Sequence, residues 1–294
     1  MKRVNPHMRH SFDLHSLRFV WLLIVFAGAP ALLASALAAP SGAASPRPST
    51  GRNPPPVDRT PAKEGGRRTV LVTGANRGIG LEFSRQYHAA GWRVIATARE
   101  PEAAKDLKAL GEGVRIAQLD VTKPESVAAL AASLGKEPID LLINNAGQGV
   151  GFEVRPLTEL KIDEFERVMQ VNALGPVRVT QALLPNLRAG KGKTIVGISS
   201  VLGSIAANRE GGFYGYRESK AALDMFMRGL AAELKSEGFV CIAIIPGWVK
   251  TDMGGPDAPL TPEESVAGMR KVLDHLKPED SGKFWSYDGT NIPW

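Results

Sequence analysis

The 294-residue chain has one cysteine, Cys241. No disulfide can form within it, and no thiolate cluster can hold zinc or an iron–sulfur centre. Histidine is nearly as scarce. His7, His10 and His15 sit in the amino-terminal stretch, leaving His88 and His275 for the rest, little material for a His-based triad or a metal site. A basic face is missing too, despite a formal net charge of +6. Residues 1–66 hold eight Lys/Arg against three acids, so residues 67–294 carry 28 against 27. A nucleic-acid reading therefore loses its main support. What the chain does have is 44% hydrophobic residues, enough to give one large domain or two small ones a sizeable core.

Residues 19–39 run FVWLLIVFAGAPALLASALAA without a charge, behind Lys2, Arg3, Arg9 and Arg18. A basic start, an apolar span and the small-x-small end Ala36-Leu37-Ala38 are the marks of a secretory signal. The span is also about 20 residues, the length of a membrane-crossing helix, so an uncleaved anchor is the near rival. Gly28, Pro30 and Ser35 favour cleavage. Residues 1–39 are thus expected to be a signal peptide or signal anchor, placing the protein in the periplasm or at the cell surface; without a working leader it stays in the cytoplasm. Residues 40–66 carry seven prolines in a Ser/Gly/Arg-rich run, a composition that reads as a flexible tether. The folded domain is expected over 67–294.

Within it, β-branched and apolar runs predict strands at 69–72, 94–97, 114–119, 139–143, 194–198, 240–245 and 284–287. Helices are predicted at 81–90, 102–110, 126–134, 162–169, 177–187, 216–237 and 262–276, the first two closed by Gly91 and Gly111. Strands alternating with helices imply an α/β, doubly wound single domain, with a central parallel sheet of about seven strands flanked by helices. Ligands of such sheets bind beyond the carboxyl ends of the strands. The motifs fall there.

After the first strand comes Thr73-Gly74-Ala75-Asn76-Arg77-Gly78-Ile79-Gly80, then a helix. Glycines permit a tight turn and let a pyrophosphate approach the free N–H groups of the helix start. The spacing is G-x-x-x-G-x-G and lacks the Lys of a Walker loop. The second strand ends Ala96-Thr97-Ala98-Arg99, with no acid before Arg99 to hold a ribose 2′-hydroxyl. Arg77 adds a second cation, and both suit a 2′-phosphate, so the expected cofactor is NADP(H).

Asn144-Asn145-Ala146-Gly147 follows the fourth strand, Ser199-Ser200 the fifth, and Tyr216-Arg217-Glu218-Ser219-Lys220 opens a long helix. Positions four apart share a helix face, so Tyr216 and Lys220 project together. An ammonium beside a phenol favours phenolate and brings its pKa from about 10 towards neutrality, making a usable general acid or base. Tyr214 has Glu218 at that spacing and so lacks such a partner.

Together these residues resemble the short-chain dehydrogenase/reductase family over essentially all of 67–294: TGANRGIG, Asp120, NNAG, Asn172, Ser200, YRESK and PGWVKT at 246–251. ISSVLGSI, YRESKAALDM, PGWVKTDMGG and DGTNIPW are similar to the branch holding sniffer-type carbonyl reductases and C-factor proteins. The resemblance implies a Rossmann fold and NADP-dependent hydride transfer between NADPH and a small carbonyl or alcohol. It makes Tyr216 the proton donor, Lys220 the group that tunes Tyr216 and holds the nicotinamide ribose, Ser200 the anchor of the carbonyl oxygen, and Asn172 the support of a water-linked relay. Gly74, Asn76, Arg77, Gly78, Ile79 and Gly80 would line the pyrophosphate, Arg99 the 2′-phosphate, and Asp120 and Val121 adenine. Asn145, Ala146 and Gly147 would take the ribose side, with Tyr216 and Lys220. Pro246, Gly247, Val249 and Thr251 would face the nicotinamide. Ser199 stays open as the functional serine in place of Ser200. The resemblance also allows a homodimer.

Two features depart from the family pattern. The interval from Ser200 to Tyr216 is longer than usual, with Arg209-Glu210-Gly211-Gly212 as the expected bulge. The loop between Thr251 and Pro262 is brief, which suggests an open pocket accepting many carbonyls. The alternative reading is a non-enzymatic, exported signalling or binding protein of the same fold. A third reading is a lipid reductase tethered to the membrane by the apolar span.

Overall fold

Seven short runs, six of them rich in Val, Ile, Leu and Ala, form one parallel sheet in a computed structural model that describes residues 66–149 and 155–294. The expected leader and most of the Pro-rich tether lie outside the described residues. The strands are β1 (Thr69–Val72), β2 (Arg93–Ala98), β3 (Val114–Gln118), β4 (Leu141–Asn144), β5 (Thr194–Ile198), β6 (Val240–Ile245) and β7 (Phe284–Ser286), in the order 3-2-1-4-5-6-7. The helices are α1 (Gly78–Ala89), α2 (Lys105–Lys108), α3 (Pro124–Leu134), α4 (Ile162–Met169), α5 (Gly175–Ala189), α6 (Tyr216–Glu233) and α7 (Pro262–Asp274). Among the described residues no helix is long and apolar enough to cross a membrane.

Both sheet faces are covered, which is why the central strands are largely apolar, with Thr69, Asn144 and Thr194 only at their ends. Leu71, Ile95, Leu142 and Ile195 pack with Leu130, Leu183, Leu187, Leu223 and Met227 from α3, α5 and α6. Their neighbours Val70, Val72, Val94, Ile143 and Val196 point the other way, onto Phe83 and Tyr87 of α1 and Val266, Met269 and Leu273 of α7. The strand order reverses between β1 and β4. Such a switch point opens a crevice at the strand ends.

Several element ends shift by one to three residues, α1 beginning at Gly78 rather than 81, and three departures have a visible cause. The helix predicted over 102–110 breaks into a 3-10 turn (Pro101–Ala103) and the four-residue α2, because Ala104 sits at φ −80°, ψ 65°, outside the helical region. The strand predicted from Ile139 starts at Leu141, because Asp140 is a tie rather than a strand residue. Its carboxylate accepts the N–H groups of Thr69 (2.8 Å), Lys191 (2.8 Å) and Gly192 (3.0 Å), fastening the starts of three strands. The long helix stops at Glu233; the chain tightens into a 3-10 turn (Lys235–Glu237) and leaves through Gly238 at φ +81°.

Candidate active site

β1 delivers the glycine turn to the amino end of α1. Arg77 is the N-cap, no side chain caps that end, and no acid stands in its first turn. The first N–H groups of the helix are therefore open to an anion. Gly78 turns at φ +55° and faces the Thr251 methyl across the groove. Arg99 is exposed at the end of β2. An uncapped helix start flanked by two arginines fits a phosphorylated dinucleotide.

The turn is braced from β4 in a way the sequence did not suggest. Asn145 Nδ2 donates to the carbonyls of Thr73 (2.9 Å) and Gly74 (3.0 Å), so its amide holds the turn rather than standing free toward a ribose. Thr73 was missed as a site residue. Its hydroxyl oxygen accepts the N–H groups of Asn145 and Ala146, both at 2.9 Å, and joins β1 to β4 at the switch point. The only signal for it was its place directly before Gly74. Asn145→Ala is expected to cost about 1–3 kcal/mol by stripping two carbonyls of their donor, measurable by urea unfolding of the full chain.

Asp120 accepts from the Thr122 N–H (2.9 Å) and hydroxyl (2.6 Å). Although desolvation opposes it, those bonds and the nearby Lys123 and Arg99 charges hold its carboxyl below the usual range. Val121 buries its side chain against Gly175, so only its backbone is left to meet a base. Gly147 lies with Asn172 Oδ1 and Lys220 Nζ on its open side.

The second half of the site gathers at the ends of β5 and β6. Ser200 accepts the Leu202 N–H (3.2 Å) and lies near enough to Tyr216 to ease the charge of its phenol, whereas Ser199 is buried and eases Asp224 instead. Ser200 is the serine placed to serve Tyr216. Asn172 lies in a π-turn (Gln170–Leu174), an irregularity that re-aims a helix side chain. Its amide bonds Gln148 N–H (2.8 Å), Gln148 carbonyl (2.9 Å) and Ser219 Oγ (3.0 Å). It therefore shapes the floor between Gly147 and α6 rather than touching Lys220 directly.

Lys220 is where expectation and structure part. Its Nζ donates to the Ile198 carbonyl (2.8 Å) and stands 5.6 Å from the Tyr216 ring centroid. Burial raises the phenol above its ordinary value, with the Ser200 hydrogen bond opposing, and lowers the lysine to about 8, with Asp224 opposing. Burial is thus the dominant influence on the phenol. The low dielectric penalises both charges, and the ammonium is held over the ring by a strand carbonyl.

The bulge before Tyr216 is a left-handed run: Gly211, Gly212 and the non-glycine Phe213 at φ +70°, +67° and +51°. Phe213 carries strain of about 1–3 kcal/mol. Its carbonyl accepts the Tyr216 and Arg217 N–H groups (both 3.1 Å), and Glu218 accepts the Gly215 N–H (2.6 Å), which sets where α6 begins. On the far side Gly247 turns at φ +78° against Leu260 and Tyr287. Val249 is buried and bridged to Leu260, the Pro246 carbonyl accepts from Ser265 (2.6 Å), and Thr251 Oγ1 accepts the Gly254 N–H (3.1 Å). The brief loop is thus internally tied. Arg77 meets Asp252 of that loop at 2.9 Å, but an exposed pair of this kind is worth only about 0–1 kcal/mol and yields readily to a phosphate.

A short chain dehydrogenase profile matches residues 68–259. The chain belongs to that family. It is 48% identical over 166 residues to the C-signal of Myxococcus xanthus, covering 56% of this chain and 99% of that one. Among solved structures it is similar to the carbonyl reductase Sniffer of D. melanogaster, with a TM-score of 0.73 and 30% identity over 78% of this chain and 100% of that chain. It is also similar to an NADPH-bound carbonyl reductase from chicken fatty liver, with a TM-score of 0.72 and 38% identity over 78% and 99%. The seven-stranded parallel sheet agrees with membership of the short-chain dehydrogenase/reductase family, within which the chain resembles the sniffer-type carbonyl reductases and C-signal.

Proposed function

We propose that this protein is an NADPH-dependent carbonyl reductase acting on small, reactive carbonyl compounds. The observation that carries the reading is the meeting of Tyr216, Ser200 and Lys220 with an anion-ready helix start at one switch point. NADPH bound there would supply the hydride. The Tyr216 hydroxyl gives its proton to the carbonyl oxygen, which also receives a hydrogen bond from Ser200. The resulting phenolate faces the Lys220 ammonium, and solvent returns the proton. The same groups run the reverse direction on an alcohol. Arg77 and Arg99 would hold the phosphates of NADPH, Arg99 supplying the charge that suits a 2′-phosphate.

The test is initial-rate reduction of a dicarbonyl by the full chain with NADPH and NADH at equal concentration. NADPH should outpace NADH, and Arg99→Asp should shrink that ratio by about tenfold or more, since a charge-assisted phosphate contact is replaced by repulsion. Equal use of both cofactors by the wild type contradicts the assignment.

A second reading is favoured by the 48% identity to C-signal and by the leader-like residues 19–39: an exported or surface-held signalling protein. We propose export, with the protein in the periplasm or at the cell surface, tested by fractionating cells that express the full chain. Recovery wholly in the cytoplasm contradicts it. A homodimer through α5 and α6 would cover the exposed Met225.

A further inference from the structure

One helical turn beyond Lys220, on the same face of α6, stands Asp224, only 3% exposed. Neither of its carboxylate oxygens has a hydrogen-bond partner among the described residues, and neither does the buried Ser199 hydroxyl. That hydroxyl lies near enough to ease the carboxylate's charge. The backbone makes room for this arrangement. A Cβ on Gly203 would lie 2.7 Å from Asp224 Oδ2 and 2.8 Å from Lys220 Cβ, so both side chains press on the one residue that has none. A buried carboxylate left without donors costs stability unless a charge faces it or it takes a proton. Nothing in the proton transfer from Tyr216 uses it.

We propose that Asp224 is a positioning residue for Lys220: it is the buried counter-charge that keeps the lysine an ammonium over the Tyr216 ring. This rests on the reading of Tyr216 and Lys220 as the proton-handling pair. No other charge competes among the described residues. β5 and β6 bring one ionisable side chain, the Cys241 thiol, which burial pushes up to about 12. The π-turn brings the neutral Asn172. On α4, Asp163, Glu166 and Arg167 are exposed and Glu164 pairs with Arg155 and Lys161. On α6, Glu218 is taken by the Gly215 N–H, Arg217 by the Gly212 carbonyl, Arg228 lies over Trp294, and Glu233, like Lys235 after it, is exposed. Beyond α6, Glu237 is paired with Arg188.

The direction of the effect follows. Burial lifts the Asp224 carboxyl to about 7, against Ser199 and Lys220, and lowers Lys220 to about 8, against Asp224. Below about 7 Asp224 is protonated and neutral, as an Asn would be. Above it, the carboxylate sustains the ammonium. Asp224→Asn, nearly the same shape, should therefore match the wild type on the acid side and fall away on the alkaline side.

The experiment is a kcat/KM profile against pH for full-length wild type and Asp224→Asn with NADPH and a dicarbonyl. The variant's alkaline limb should move to lower pH, giving about a tenfold deficit near pH 9 and little deficit near pH 6, one pK unit being a factor of ten. A uniform deficit at every pH, as a purely structural role would give, overturns the proposal, as does superposition of the two profiles. A second measurement stands apart from turnover. The Asp224 carboxyl carbon, identified as the NMR signal lost in Asp224→Asn, is titrated in wild type and in Lys220→Met. Its midpoint should lie well above the ordinary carboxylate range and rise further in Lys220→Met. An ordinary midpoint that ignores Lys220 overturns the proposal even if no dicarbonyl is reduced. A wild type that reduces nothing while Asp224 titrates as expected overturns the carbonyl-reductase reading alone.

Discussion

Replacing Tyr216 by Phe is expected to lower kcat/KM for NADPH-dependent dicarbonyl reduction by about a hundred- to ten-thousand-fold, the usual worth of a general acid, while NADPH affinity stays nearly unchanged. The change removes one oxygen from a side chain whose ring keeps its place at the head of α6. It also takes the hydroxyl away from Ser200 while leaving the ring over which Lys220 is held. A loss confined to affinity would mean that Tyr216 only orients ligand. The same variant separates the two functional readings. A signalling effect that persists in Tyr216→Phe while reduction is lost assigns that effect to the fold and its surface, not to catalysis.

The second large effect is expected at the glycine turn. A Cβ on Gly80 would lie on the Gly74 carbonyl oxygen and 2.5 Å from Asn145 Nδ2. Both belong to the brace that shapes the phosphate turn, so Gly80→Ala must displace backbone or break the Asn145 bonds. NADPH affinity, followed by fluorescence, should fall by more than about tenfold, and stability by about 1–3 kcal/mol, the cost of overpacking a tight site. Unchanged affinity would mean that the turn does not hold the cofactor. The thermal melt of the variant shows whether it remains folded.

Most of the architecture was legible in the residues. β1, β5, β6 and α4 fall where their runs of Val, Ile and Leu or their helical spacing place them, because strands buried on both faces can hold little else. What escaped was tertiary. Asp140 reads as the middle of an apolar run, and only the approach of β1 and β5 turns it into a tie. The break at Ala104 has no signal of its own in PEAAKDL. The sequence names candidate site residues but not their geometry. Tyr216 and Lys220 do share a face, yet their spacing could not tell that Nζ is held by the Ile198 carbonyl, or that burial outweighs attraction. Thr73 and Asp224 were passed over because their roles depend on what stands opposite: the β4 backbone for one, Gly203 and Ser199 for the other. The extra residues before Tyr216 were recognised as a bulge, but their left-handed path through Phe213 belongs to the fold.

The central claim is that this site moves a hydride to a carbonyl carbon and a proton to its oxygen. The most direct measurement is a single turnover of the full chain with NADPH deuterated at the nicotinamide C4 position and a dicarbonyl, read by mass spectrometry of the product. Deuterium should appear on the new carbinol carbon, and none in the Tyr216→Phe reaction on the same timescale. Tight NADPH binding with all the label retained in the cofactor would contradict it.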